Sequence, residues 1–145
     1  MISTHAFEPW HLDEFDIRPE YKHGEEYRAV MSQAVSTADS PAYTLANGLK
    51  PVGVVGAMYI YPRVMKAYAL LSEDIKECPI SFHKEVKRLI ALYFEECNLT
   101  RMEIDVRCDF PQAKRWAGGL GFTLEGIRKN YGFDGSDHFL YARYN

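Results

Sequence analysis

Between Val52 and Ser72 the chain carries two apolar runs, Val52 to Tyr61 and Val64 to Ser72, joined by Tyr61-Pro62-Arg63. Their apolar residues fall on both parities, so neither run keeps a polar face for water. Strands of this kind belong in the centre of a sheet covered on both sides. That feature alone demands a layered fold with a real core. The 145 residues suffice for one such domain, spanning 1–145. A chain of this size buries roughly 68–70% of its unfolded surface and needs no metal or disulfide staple.

The flanking segments supply the rest of the layers. Ile2 to Phe7 reads as a first strand, and the polar stretch from His11 to Gly24 follows it. Tyr27, Val30, Met31, Ala34 and Val35 then share a helical face, which Asp39-Ser40-Pro41 stops. Ala42 to Ala46 faces Val52 to Tyr61 across Asn47-Gly48, a strong hairpin signal. Ser81 is the expected N-cap of a helix over Phe82 to Asn98, with Phe82, Val86, Leu89, Ile90, Tyr93, Phe94 and Cys97 as its apolar stripe. Arg101 to Cys108 alternates apolar and charged residues, as a half-covered strand does. A short helix from Asp109-Phe110-Pro111 ends near Gly118-Gly119. Phe122 to Lys129 and Phe139 to Tyr144 close the chain as strands. The order implies an α/β (α+β) fold: a mixed, mostly antiparallel central sheet with helices on both faces.

Several chemistries are excluded. Seventeen Lys and Arg against twenty Asp and Glu leave a net charge of −3, without the basic excess of a nucleic-acid binder. Cys78, Cys97 and Cys108 form no CxxC pair and read as reduced thiols. His5, His11, His23, His83 and His138 show no HExxH or paired-ligand spacing, so no metal is expected. No GxSxG elbow or P-loop occurs. The longest uncharged apolar run, Pro51 to Pro62, is too short for a membrane span, and no signal peptide is visible. A cytoplasmic protein is expected, or one packaged from the cytosol into a larger particle.

The segment Ala113-Lys-Arg-Trp-Ala-Gly-Gly-Leu-Gly-Phe122 and the step Glu125-Gly126 carry a resemblance. A short helix ending in Leu120-Gly121-Phe122, then a strand with Glu-Gly, resembles the late signature of the GNAT acyltransferase superfamily. The likeness in topology runs from Ala42 to the C-terminus; the motif itself covers Ala113 to Gly126. The general texture is also similar to the GNAT-like proteins of tailed bacteriophages, some of them carried in the virion.

The resemblance implies that acetyl-CoA lies in a splay between two parallel strands, Val64–Ser72 and Arg101–Cys108. Backbone groups of Leu70, Leu71 and Ser72 would hold the pantetheine. Ser81, Phe82, His83, Lys84 and Lys87 would hold the phosphates at a helix N-terminus, whose free N–H groups favour anions. The acceptor would be an amine, on a small molecule or a protein. Candidate proton-transfer groups are Glu73, Asp105 and Tyr131, with Tyr59, Tyr61 and Tyr68 also able to reach a cleft.

The chain departs from the family's pattern at three places. No glycine occurs between Gly56 and Gly118, where the family's pyrophosphate loop is glycine-rich. Ala117 stands where the family's acid tyrosine would, and no carboxylate or histidine lies between Ala57 and Ser72. Two readings follow: an acetyl-CoA-dependent N-acetyltransferase with a divergent loop, or a GNAT-like binding or structural protein, phage-encoded, that has lost catalysis and binds a host or virion protein.

Overall fold

The computed structural model describes residues 1–14, 16 and 41–145. The helical face read over Tyr27 to Val35 lies outside them, as does most of the stretch between His11 and Gly24. Seven strands form one sheet: β1 (Ile2–Ala6), β2 (Ala42–Asn47), β3 (Lys50–Tyr61), β4 (Val64–Leu71), β5 (Arg101–Arg107), β6 (Thr123–Arg128) and β7 (His138–Tyr144). They lie in the order β1-β2-β3-β4-β5-β7-β6. Only β4 and β5 pair in parallel. The two both-parity runs are β3 and β4, at the middle of the sheet as their composition requires.

Helices α1 (Pro79–Glu96) and α2 (Pro111–Gly119) cover one face. The expected stripe of α1 is the buried one: Phe82, Val86, Leu89, Ile90 and Tyr93 pack with Val55, Ala57, Met65, Leu71, Met102 and Val106. Burying side chains of this size contributes about 1.5–3 kcal/mol each. On the opposite face a 3-10 turn, Pro9–Glu14, sets Leu12 against Val54 and Leu70, with Phe7 and Tyr68 alongside.

Local signals moved by one to three residues. The hairpin loop is Gly48-Leu49, since Asn47 already pairs with Lys50. Gly48 alone takes a left-handed φ, +65°, as a turn with glycine at its first loop position needs. Helix α1 starts at Pro79 with Cys78 as N-cap, not at Ser81. Proline suits that first position because it has no N–H to leave unpaired. After α2, Gly121 adopts φ +92° and the Phe122 amide donates back to Ala117 O at 3.1 Å. This turn drops Phe122, 5% exposed, into the core.

Gly56 sits directly across from Tyr68, and a Cβ there would lie 2.4 Å from the Tyr68 hydroxyl oxygen and 3.0 Å from Ala42 Cβ. The glycine is what lets the Tyr68 ring lie flat over the strand. Gly56→Ala is expected to cost about 1–3 kcal/mol in denaturant unfolding, the usual range for overpacking. Adding Tyr68→Ala in the same chain should make the Gly56→Ala step cheaper, as a double-mutant cycle would show.

Candidate functional site

β4 and β5 pair at three positions only: Val64 with Arg101, Met65 with Met102, and Lys66 with Glu103. Past that vertex, β4 stays bonded to β3 as far as Leu71, and β5 stays bonded to β7 as far as Arg107. The two strands therefore diverge and leave a slot. A cavity of about 900 Å³ runs through it. Ala67, Ala69, Leu71, Ile104 and Val106 line it from the strands, and Ile75, Lys76, Pro79 and Phe82 from the turn and helix that follow β4.

The backbone of β4 alternates in what it faces. The Ser72 amide donates to Val52 O at 2.9 Å. In an antiparallel ladder every second residue bonds the same partner, so Leu70 and Ser72 turn their N–H and C=O toward β3. Ala69 and Leu71 turn theirs toward the slot. Of the three residues expected to offer backbone groups, only Leu71 does. The Ser72 hydroxyl is also committed: it caps the 3-10 turn Glu73–Glu77, accepting from the Asp74 amide at 3.1 Å.

At the far end of the slot, α1 begins without a side-chain cap. Pro79 has no N–H, and the Phe82 amide already donates to Cys78 O at 2.9 Å. Ile80 and Ser81 carry the amides left over in that first turn. Phe82 forms an apolar wall, its ring 6.1 Å from that of Trp116. His83 turns toward α2, against Gly119. Lys84 and Lys87 are exposed and do not line the cavity. Lys76 does line it, from the 3-10 turn between β4 and α1. The acidic loop is partly neutralised: Lys50 Nζ lies 2.8 Å from Asp74 and Lys76 Nζ 3.3 Å from Glu73. Glu73 is exposed in that pair and takes no place in the cavity.

The vertex end is polar. Lys66, Asp105 and Arg107 project from the face opposite the helices, and the loop between β6 and β7 reaches over them. The Lys66 ammonium contacts the Asp105 carboxylate and donates to the Tyr131 hydroxyl. Arg128 Nε stands 2.9 Å from the other Asp105 oxygen. Both Asp105 contacts are close in distance but off the hydrogen-bond direction, and its side chain is only 8% exposed. Lys66 and Arg128 sit 4.8 and 5.0 Å from the Tyr131 ring centroid. Arg107 anchors the loop, holding Asp134 at 3.1 Å and Asp109 at 3.0 Å. Asp105 and Tyr131, distant in sequence, thus meet through Lys66.

Burial pulls the Lys66 pKa down, but its Asp105 and Tyr131 partners outweigh this and leave it raised, so the side chain is an ammonium. Tyr68, on the same face, is pushed up to about 12 by desolvation and keeps its proton. His138 also lines the cavity. It pairs across the sheet with Arg107 on one side and Arg128 on the other. Its Nε2 meets the Ser136 hydroxyl at 3.3 Å, and Nδ1 is buried without a partner. Desolvation chiefly, and Arg107, hold its pKa below the ordinary 6.5, against the pull of Asp105, Asp134 and Asp109.

Solved structures share this architecture. A chimera of spermidine N-acetyltransferase SpeG from Vibrio cholerae and hSSAT matches with a TM-score of 0.73 at 14% identity, over 99% of this chain and 95% of that one. A ribosomal-protein-S5-alanine acetyltransferase from Vibrio fischeri matches with a TM-score of 0.69 at 16% identity, over 99% and 93%. The fold is that of the GNAT acetyltransferases. No protein-family model matches the sequence, and neither does any curated protein. Among the described residues no helix is long and apolar enough to cross a membrane, and no cluster of three His, Cys, Asp or Glu side chains is placed to hold a metal ion.

Lys66, Lys76, Arg107, Arg128 and His138 escaped the sequence reading. Each sits in a strand or loop with no motif around it. Only Lys66 carried a visible signal, as the sole charge between Arg63 and Glu73 in an otherwise uncharged stretch.

Two measurements test this description. Asp105→Asn strands two cations that share one carboxylate, and should cost roughly 1–3 kcal/mol of unfolding free energy in urea. His138 must stay neutral in the fold while its unfolded form protonates near pH 6.5, so the unfolded chain binds the extra proton. Its contribution to stability is complete above pH 6.5 and is lost as pH falls from there toward the lower folded pKa. Melting curves from pH 7.5 to 5.5 should therefore fall more steeply for the wild type than for His138→Gln.

Proposed function

We propose that the slot takes acetyl-CoA and that the protein transfers the acetyl group to an amine. The divergence of β4 from β5 after three paired residues, with a through-going cavity between them, carries this reading. The slot suits the carrier's shape at each level. At the wide end, the Ile80 and Ser81 amides and Lys76 would receive the pyrophosphate, since an uncapped helix start offers unpaired donors and a favourable dipole. Along the middle, Ala69 and Leu71 have backbone donors and acceptors free to pair with the pantetheine amides as a missing strand would. The five residues from Ala67 to Leu71 give about 17 Å of such edge. At the vertex the acyl end would meet Lys66, flanked by Asp105 and Tyr131.

Positioning would supply most of the rate: the amine nitrogen attacks the thioester carbonyl, the C–N bond forms, and the C–S bond breaks. The structural neighbours are named for spermidine and for the alanine of a ribosomal protein, both amine acceptors. Glu73 has no part in this scheme, because it faces solvent beside Lys76. A binding protein that has lost catalysis is the second reading, favoured by the lack of glycine between Gly56 and Gly118 and by Ala117 in place of the acid tyrosine.

Calorimetry with acetyl-CoA and with desulfo-CoA decides between occupancy and an empty scaffold. At a hundred times the dissociation constant, bound cofactor should add about 2.7 kcal/mol of stability in a thermal-shift experiment. Lys76→Glu should weaken binding several-fold while Lys84→Glu leaves it nearly unchanged. No heat and no shift at millimolar cofactor would leave only the second reading. Thiol release with spermidine, 2-phenylethylamine and an alanine-terminated peptide then ranks acceptors.

A further inference from the structure

We propose that Lys66 is a catalytic residue, its ammonium polarising the acetyl carbonyl at the vertex of the slot. The inference rests on the acetyl-CoA reading above and adds the group that acts on the reacting atoms. Lys66 is the last residue of β4 paired with β5, so its side chain leaves the strand where the slot begins. It lines the cavity, and its side chain is 29% exposed. A carrier entering from the α1 end with its phosphates at Ile80 and Ser81 presents its acyl end here.

The ammonium has three N–H bonds. Tyr131 accepts one from the β6–β7 loop, Asp105 pairs with the charge from β5, and among the described residues no further acceptor is recorded. At least one donor is thus left for an oxygen in the cavity. Asp105, itself held by Arg128, fixes the ammonium, and the Tyr131 ring lies 4.8 Å from it. A donor held this firmly needs no reorganisation as charge develops, which is what makes a preorganised site effective.

The step balances as an acyl transfer. The amine lone pair adds to the carbonyl carbon, and the C=O pair moves onto oxygen, where the Lys66 ammonium meets the negative charge. That pair returns as the C–S bond breaks, leaving its electrons on the CoA sulfur. The nitrogen gives one proton to solvent and the thiolate takes one from it. Lys66 itself gains and loses nothing.

The test needs no known acceptor. Acetyl-CoA labelled with 13C at the carbonyl is bound to the wild type, to Lys66→Met and to Lys66→Arg, and the carbonyl is read by 13C NMR and by infrared difference spectroscopy. Binding to the wild type should move the resonance downfield and the stretch to lower frequency. Lys66→Met should lose both shifts while retaining affinity for desulfo-CoA within a few-fold, and Lys66→Arg should keep part of each. With the best acceptor from the thiol-release assay, kcat should fall on the order of 10²–10³-fold in Lys66→Met at little change in the KM for acetyl-CoA. Lys84→Met, at an exposed lysine outside the cavity, controls for the loss of a positive charge and should preserve the carbonyl shift. A bound carbonyl unshifted in the wild type, or shifted equally in Lys66→Met, overturns the proposal and leaves the cofactor site standing. Failure of acetyl-CoA to bind the wild type at all removes the reading beneath it.

Discussion

The structure turns on a parallel pairing that stops early. Each of the two diverging strands is already bound to another: β4 to β3 over its whole length, β5 to β7 from Arg101 to Arg107. Those antiparallel ladders hold β4 and β5 in different directions, so their contact lasts only from the Val64–Arg101 pair to the Lys66–Glu103 pair. Buried backbone polar groups left without partners are costly, and native folds rarely keep them. Ala69 and Leu71 turn such groups toward the slot, where no strand among the described residues pairs with them.

The two faces of the sheet divide the labour around that slot. On the helix side, Phe82, Ile104, Val106 and Trp116 make an apolar wall. On the other side, charge is concentrated and almost wholly paired. Asp105 is shared by Lys66 and Arg128, and Arg107 by Asp109 and Asp134. The pairing serves two ends at once. It pins the β6–β7 loop across the slot, and it fixes the orientation of the cations that face the cavity. The cost is a carboxylate that is nearly buried and poorly aligned with either partner, and an imidazole with one orphaned nitrogen. Unsatisfied groups of this kind gather where a protein meets a ligand more often than where it merely packs.

Much of the architecture was legible because it rests on periodicity. The both-parity runs of β3 and β4, the stripe of α1 and the alternation of β5 each record which faces are covered, and tertiary packing had no reason to overrule them. The Leu120-Gly121-Phe122 turn was equally readable, since a helix stop of this type needs glycine at positive φ. Boundaries were less so. Ser81 looked like the better N-cap by residue type, yet Pro79 at the first helical position moved the start back to Cys78. With the helix begun earlier, Lys84 and Lys87 lie beyond its free amides, exposed and outside the cavity lining.

Local order in the chain thus determined the layers, the central strands, the long helix and the alternation that puts Asp105 on the polar side of β5. Those features depend on neighbours three or four residues away, and such information is written in the sequence. Tertiary structure alone decided where the strands part, which backbone groups face the gap, and that Lys66, Asp105, Arg128 and Tyr131 meet at its vertex. These residues come from β4, β5, β6 and a loop beyond, so their meeting depends on register between strands far apart in the chain. Register is set by all the ladders together, and no single segment carries it.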